Sequence, residues 1–426
     1  MILILGGGLA GLSAAYHLRD APHLVLEAET VAGGLCRTRQ VNGFSFDSTG
    51  HLLHLRDERA IALVDRLLPG AFEEIGRRAF IRTRGVTLPF PFQANLGGLP
   101  PETASACVAG FLECLGVPVP DDPRASFREW SLAVFGRGIS DAFMFPYNAK
   151  LFRRDGADMT ADWVSWAVPR PSLREVVRGA LGLANEGMGY NPAFRYPKTG
   201  GIGVLPEAFS SRLTTVRCGA RVREVDLERK TATLEGGERL AWDRLVVTVP
   251  LPEFLAMTGT TSFADAAAAL DASVVACLNL GVDRPGVGGG AHWIYFPDPE
   301  VPFYRVGFPT AFSGGVAPPG TSSLYVEFAL SRRERRDLAS LEASAMEALL
   351  AEKILLPSDR ILARDVVLLD PGYVIFDRRR LDVMATVVPA LLERGVHLAG
   401  RYGAWTYSYM ERAMLDGLEI ARKLAG

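Results

Sequence analysis

The apolar run Ile2-Leu3-Ile4-Leu5 passes directly into Gly6-Gly7-Gly8-Leu9-Ala10-Gly11. That order constrains the fold more than any other feature of the chain. A short buried strand, then G-x-G-x-x-G, then Leu9, Leu12, Ala15, Tyr16 and Leu18 at helical spacing reads as the β-turn-α start of a nucleotide-binding sheet. Gly6 permits a tight turn, Gly8 lets a pyrophosphate approach the backbone, and Gly11 lets helix and strand pack closely. The helix N-terminus, opening at Leu9 and Ala10, offers free N–H groups to an anion. A second strand, His23-Leu24-Val25-Leu26, ends at Glu27, which is placed to accept hydrogen bonds from a ribose, with Ala28 beside it. These parts together predict a dinucleotide site.

The chain has 426 residues, 48% of them hydrophobic and 22% charged, enough for two or three domains and too apolar for disorder. Lys+Arg 46 against Asp+Glu 48 argues against a nucleic-acid partner or an anionic-membrane partner. An anionic ligand would therefore rest on a few placed arginines. The N-terminus lacks a basic start and a long apolar core, and no apolar stretch nears the ~20 residues of a membrane span. Five cysteines in so long a chain fit a reduced compartment. The expected location is the cytoplasm. The six histidines form no ligand set with cysteines or carboxylates, so no metal is expected.

Helical patterns at 57–68, 102–115, 127–135, 172–183 and 206–213 alternate with strand patterns at 79–88, 220–226, 231–234, 245–249 and 396–399, before a closing helix at 412–424. Alternating β-branched and aromatic residues between 274 and 330 read as an antiparallel sheet. The expected class is α/β: a discontinuous Rossmann-like FAD-binding domain with a helical insertion and an antiparallel substrate sheet. The expected division is 1–88, 200–265 and 386–426 for the FAD domain, 89–199 for the helical cap, and 266–385 for the sheet domain.

FAD is favoured over NAD by a second glycine pair, Gly33-Gly34-Leu35-Cys36-Arg37. Gly34 and Arg37 can wrap a pyrophosphate from its other side. Gly400-Arg401-Tyr402-Gly403, again after a strand and before a helix, adds a late contact, with Tyr407 and Met410 following and Val222 completing the nucleotide side. No second nicotinamide fingerprint is visible, so NADPH or NADH would react only transiently as reductant.

Beyond these parts, Phe46-Asp47-Ser48-Thr49-Gly50-His51, Pro89-Phe90-Pro91-Phe92-Gln93-Ala94-Asn95, Phe194-Arg195-Tyr196-Pro197, Trp293-Ile294-Tyr295-Phe296 and Phe303-Tyr304-Arg305 occur in that order. With them the chain resembles the flavin-dependent UDP-galactopyranose mutases, within the wider group of protoporphyrinogen oxidases and amine oxidases. The resemblance implies pyranose–furanose interconversion of UDP-galactose or a related nucleotide sugar, through attack of reduced FAD N5 on the anomeric carbon. It also implies that Gly50 and His51 lie against the flavin. Arg195 and Arg305 would steady the diphosphate, and Phe90, Phe92, Gln93, Asn148, Phe152, Trp293, Tyr295 and Tyr407 would line the substrate site. His51, Arg195 and Arg305 are the catalytic candidates. The chain departs from the family where Phe90 replaces a usual tyrosine, where Phe152 replaces a usual tryptophan, and after Arg305, where Gly307-Phe308-Pro309-Thr310 replaces a polar stretch.

Each residue also has a plainer reading. Arg195 would cover Phe194 with its stem, Arg305 would pair with Glu327, His51 would be a satisfied core histidine, Tyr295 and Tyr407 would be core aromatics, and Asn148 would cap a turn. Two other functions stay open at this level: an oxidase or desaturase of an amine, porphyrin or polyene, and a flavin-binding module without catalysis. The sugar, the nucleobase and the oligomeric state are not legible.

Overall fold

The first strand, Ile2–Leu5, is buried along its whole length, as a central strand of a parallel sheet covered on both faces must be. Its neighbours come from far apart in the chain. Arg244–Val247 and His23–Leu26 flank it in parallel, with Ile2 in register with Arg244 and His23. Val396–Leu398 and Val216–Arg217 complete a five-stranded parallel sheet. Three stretches of sequence therefore build one nucleotide-binding sheet, as the α/β reading expects. The computed structural model describes the chain except residues 20, 165–167, 184, 186–191, 335–336 and 426. The helix Leu9–Leu18 packs on the closing helix Met410–Ala425, where the Ser13 hydroxyl donates to the Met414 carbonyl at 2.6 Å.

A second sheet has seven strands, in the order Ile361–Leu369, Ser273–Val282, Ser322–Ser331, Arg305–Gly307, Trp293–Tyr295, Ala79–Thr83 and Val86–Pro89. All its pairings are antiparallel except one, where Trp293–Tyr295 runs parallel to Ala79–Thr83. The hairpin turning at Arg84 and Gly85 thus extends this sheet, although it lies within the stretch 1–88 expected to belong to the nucleotide domain. Strand alternation fixes which face is buried and says nothing about the partner strand. The helix Leu338–Ala351, the strand Ile361–Leu369 and the helix Arg378–Glu393 occupy a stretch that the sequence reading leaves unassigned.

Between the sheets in sequence lie the helices Pro101–Cys114, Phe127–Ile139, Phe145–Phe152 and Leu173–Ala180. Ser126 and Glu129, and again Ser172 and Glu175, form reciprocal capping boxes that fix two of the helix starts. Gly136, at φ +71°, breaks the second helix where it crosses the first; a Cβ there would sit 1.8 Å from the Gly110 carbonyl oxygen. Among the described residues no helix is long and apolar enough to cross a membrane.

Candidate active site

The glycine turn after Ile2–Leu5 opens onto a cavity of about 460 Å³ at the C-terminal ends of the parallel strands. Gly6, Gly8, Leu9, Ala10, Glu27, Gly34, Arg37, His51, Gly400, Arg401 and Met410 line it. The two glycine runs meet face to face: the Gly33 N–H donates to the Gly7 carbonyl at 2.8 Å, and a Cβ on Gly34 would lie 3.1 Å from Gly8 Cα. The helix Leu9–Leu18 starts without a side-chain cap, so its first N–H groups are left to a ligand. Glu27 is held at the strand end by two backbone donors, Gly7 N–H at 2.8 Å and Glu29 N–H at 2.9 Å. The Arg37 Nε–H donates to the Gly34 carbonyl at 2.9 Å and braces the second turn.

Five other expected cofactor residues lie off this wall, each for a local reason. Tyr407 stacks on Tyr373 and carries the Arg401 guanidinium over its ring. Gly11 sits behind the turn, where a Cβ would be 2.0 Å from the Gly6 carbonyl oxygen. Ala28 follows Glu27 and is only partly buried. Val222, opposite Leu234 in a three-stranded sheet, turns its side chain into the core. Gly50 borders the small neighbouring cavity that it shares with His51. Thr248, Asp370 and Pro371 do line the main cavity, and the first two carried no signal in the sequence.

A flavin dinucleotide fits this cradle on two observations. The space against Gly8 and Gly34 would be narrowed by any side chain. The Nε of Arg401, on the cavity wall, is buried and has no hydrogen-bond partner, while its guanidinium lies 5.1 Å from the ring centres of both Tyr373 and Tyr407. His51 borders both cavities, and the surrounding protein desolvates the ring and lowers its pKa to about 4. The imidazole is neutral at pH 7. Just upstream, burial raises Asp47 to about 6 against three donors, the Thr38 hydroxyl, the Tyr196 hydroxyl at 2.6 Å and the Ile202 N–H at 3.0 Å.

Next to His51 the second sheet presents Arg305. It stands opposite Glu327 in register, and two hydrogen bonds of 2.6 and 2.8 Å join the side chains. Burial works against the charge of Arg305, and Glu327 together with Tyr325 and Tyr373 more than offsets it, so its pKa lies well above the ordinary value. Glu327 is pushed up by burial, yet Arg305 and the Gly50 N–H hold it below the usual carboxylate range. The pair is ionic and tied to the His51 segment.

Aromatic rings surround this pair. Phe90 packs on Tyr295 at 5.3 Å, Tyr295 meets Tyr147 edge-on at 5.5 Å, and Tyr147 stacks through Phe143 onto Phe92. On the other side Phe152 contacts Tyr373 at 5.8 Å, and Tyr373 stacks on Tyr407 at 6.1 Å. Burial raises the phenols of Tyr147, Tyr304, Tyr373 and Tyr407, which keeps them protonated as hydrogen-bond donors. Tyr304 and Tyr373 were not singled out as site residues in the sequence; the Pro371-Gly372 turn before Tyr373 is the one signal that marks that position. The Lys150 ammonium, lowered to about 8 by burial, donates to the carbonyls of Phe296, Val301 and Phe303 and fixes the loop before Arg305.

Four expectations need correction. Arg195 does not join Arg305: Phe194 and Tyr196 take the inner face of the strand Ala193–Pro197, so alternation sends Arg195 outward to Asp65 at 3.1 Å and Glu74 at 3.8 Å. Gln93 is buried and its amide donates to the Pro169 carbonyl at 2.6 Å. Asn148 donates back to Met144 one helical turn earlier, at 2.8 Å. Trp293 lies one ring beyond Tyr295, packed on Phe194 at 5.8 Å.

The strand–glycine–helix cradle, the second glycine pair and the arginine over two tyrosines define a flavoprotein of the two-sheet, dinucleotide-binding class. The sequence profile of the flavin-containing amine oxidoreductases matches residues 9–425. The chain belongs to that family. A reduced UDP-galactopyranose mutase of known crystal structure superposes with a TM-score of 0.93 at 27% identity, covering 99% of this chain and 95% of the mutase. A candidate protoporphyrinogen oxidase from Exiguobacterium sp. 255-15 superposes at 0.75 with 16% identity, over 100% of this chain and 98% of that one. Putrescine oxidase bound to putrescine gives 0.67 at 14%, over 99% and 98%. The last two share the fold alone.

Proposed function

We propose that this protein is a flavin-dependent nucleotide-sugar mutase that interconverts pyranose and furanose forms of UDP-galactose or a related sugar nucleotide. The observation that carries the reading is the likeness to the mutase over nearly the whole of both chains, against a fold-only likeness to the oxidases. The side chains beside His51 agree with it. An amine or polyene substrate calls for apolar surroundings, whereas an ionic Arg305 and protonated tyrosines suit phosphate and sugar hydroxyls.

FAD, when bound, supplies the nucleophilic centre, in its reduced form in this reading, with NADPH or NADH as a transient reductant. The residues of the chain do the rest. Arg305 stabilises the charge that develops on the diphosphate as the sugar bond loosens. Glu327 keeps Arg305 in place and charged. Tyr373 and Tyr407 hold Arg401 over the cofactor cavity, and the neutral His51 offers a hydrogen bond there without adding charge. Phe90 and Tyr295 give a base or sugar ring a stacking surface.

The test uses FAD-loaded protein, reduced with dithionite, incubated with UDP-galactose and other nucleotide sugars. Furanose product with reduced flavin and none with oxidised flavin is the expected result. Oxygen consumption with an amine or porphyrinogen and no sugar conversion would sink the reading.

A further inference from the structure

We propose that the small cavity behind His51 is a binding site for one water molecule, held by the hydroxyls of Tyr325 and Ser323, and that this water fixes the Gly50–His51 segment against the cofactor cavity.

Ser323 and Tyr325 lie two residues apart on the strand Ser322–Ser331 and so share one face of the sheet. On that face Tyr325 stands opposite Gly307 and lies flat over it; a Cβ at Gly307 would be 2.0 Å from the ring carbon that bears the hydroxyl. The hydroxyl thereby reaches Gly50, where a Cβ would be 2.2 Å from its oxygen. Tyr325 is 3% exposed and Ser323 1%, and neither hydroxyl has a hydrogen-bond partner. A buried hydroxyl left unpaired is costly, and native interiors avoid it.

Both residues border the same small cavity, together with Asp47, Gly50, His51 and Asn279. Its volume, about 10 Å³, is that of one water-sized sphere, at the lower limit for holding a water. A water needs two to four polar partners, and Tyr325 and Ser323 supply two. The Asp47 carboxylate is engaged already by Thr38, Tyr196 and Ile202, which leaves the two hydroxyls as the groups that require a ligand. His51 borders both this cavity and the cofactor cavity. Whatever occupies the small one therefore sets where the His51 segment stands. Tyr325 and Ser323 are positioning residues in this account, and the account needs FAD binding only, whichever reaction the enzyme performs.

The test compares FAD-loaded wild type, Tyr325→Phe, Ser323→Ala and the double variant. A high-resolution crystal structure of the wild type should show one water within hydrogen-bond distance of both hydroxyl oxygens. Each single variant should unfold at lower denaturant concentration, and the double variant should lose less than the sum, because either change already releases the shared water. The flavin midpoint potential should shift in Tyr325→Phe as the His51 segment relaxes. A dry cavity gives the opposite sign: removing an unpaired hydroxyl would leave the unfolding midpoint unchanged or raise it, and the two effects would add. That result, or an unaltered flavin potential in both single variants, overturns the proposal.

Discussion

Arg305 and Glu327 face one another across neighbouring strands with two hydrogen bonds of 2.6 and 2.8 Å, and the same carboxylate accepts the Gly50 N–H at 3.1 Å. One buried ion pair thus joins the seven-stranded sheet to the segment that carries His51.

Removing one partner leaves the other charge buried and unpaired, which costs about 3–5 kcal/mol. Glu327→Ala should destabilise the protein by that amount in denaturant unfolding. Replacing both residues by apolar ones, Arg305→Met with Glu327→Leu, should recover most of the loss, since well-packed apolar pairs rival buried ion pairs in stability. The double variant should still fail to bind a nucleotide sugar, read by calorimetric titration. Restored stability with restored affinity would show that Arg305 does not hold the diphosphate.

Arg195 gives the converse case. Its partners Asp65 and Glu74 are well exposed, and exposed pairs contribute about 0.2–1 kcal/mol. Arg195→Ala should change stability within that range and leave nucleotide-sugar affinity as it was. A large rise in the dissociation constant would mean that Arg195 swings inward when substrate binds.

The contrast between these two arginines shows what the sequence could convey. Both stand in strands beside aromatics, Arg195 between Phe194 and Tyr196 and Arg305 after Tyr304, and both match a family motif. Local pattern cannot say which face a strand turns to the site, because that depends on the partner strand and its register. The glycine cradle was legible because Gly6, Gly11, Gly33 and Gly34 are required by backbone conformation or close packing encoded within a few residues, with Gly8 set between them. Arg305 and its plainer partner Glu327 were both anticipated, and the structure joins them in one ion pair tied to Gly50. Tyr373, Thr248 and Asp370 reach the site only through tertiary folding from stretches with no motif. For the same reason the edge hairpin Ala79–Pro89 could not be assigned to its sheet before its pairing with Trp293–Tyr295 was known.

Acid should destabilise the protein, with a slope fixed by buried groups. His51, His54 and His292 are lowered by burial from 6.5 to about 4, so each is neutral when folded and protonated when unfolded across that window. Their contribution is complete above pH 6.5 and is lost as pH falls toward 4. Asp47 acts oppositely: raised from 3.8 to about 6, it is protonated when folded and ionised when unfolded near pH 5. Of these four groups, three take up a proton on unfolding and one releases one, a net of two, or about 2.7 kcal/mol per pH unit near pH 5. His17 and His397, also lowered by burial, add to the fall, and Glu253 and Asp416, raised by burial, oppose it. Unfolding midpoints measured from pH 7 to 4.5 should fall steadily. Asp47→Asn should steepen that fall, because the opposing proton is removed; an unchanged slope would mean Asp47 titrates normally.

Two glycines of the first turn should fail in different ways. Gly11 has no room for a methyl group, since its Cβ would meet the Gly6 carbonyl oxygen at 2.0 Å. Gly11→Ala should therefore displace the turn, lower stability and abolish flavin retention together. Gly8 has φ −75° and ψ 178°, a conformation any residue adopts, and its Cβ would come no closer than 3.9 Å to Gly34 Cα. The protein tolerates alanine there, so the glycine answers to the ligand alone. Gly8→Ala should unfold at the same denaturant concentration as wild-type apoprotein yet bind FAD far more weakly, read from flavin absorbance after gel filtration. Full flavin content in purified Gly8→Ala would show that the pyrophosphate does not approach the backbone at this turn.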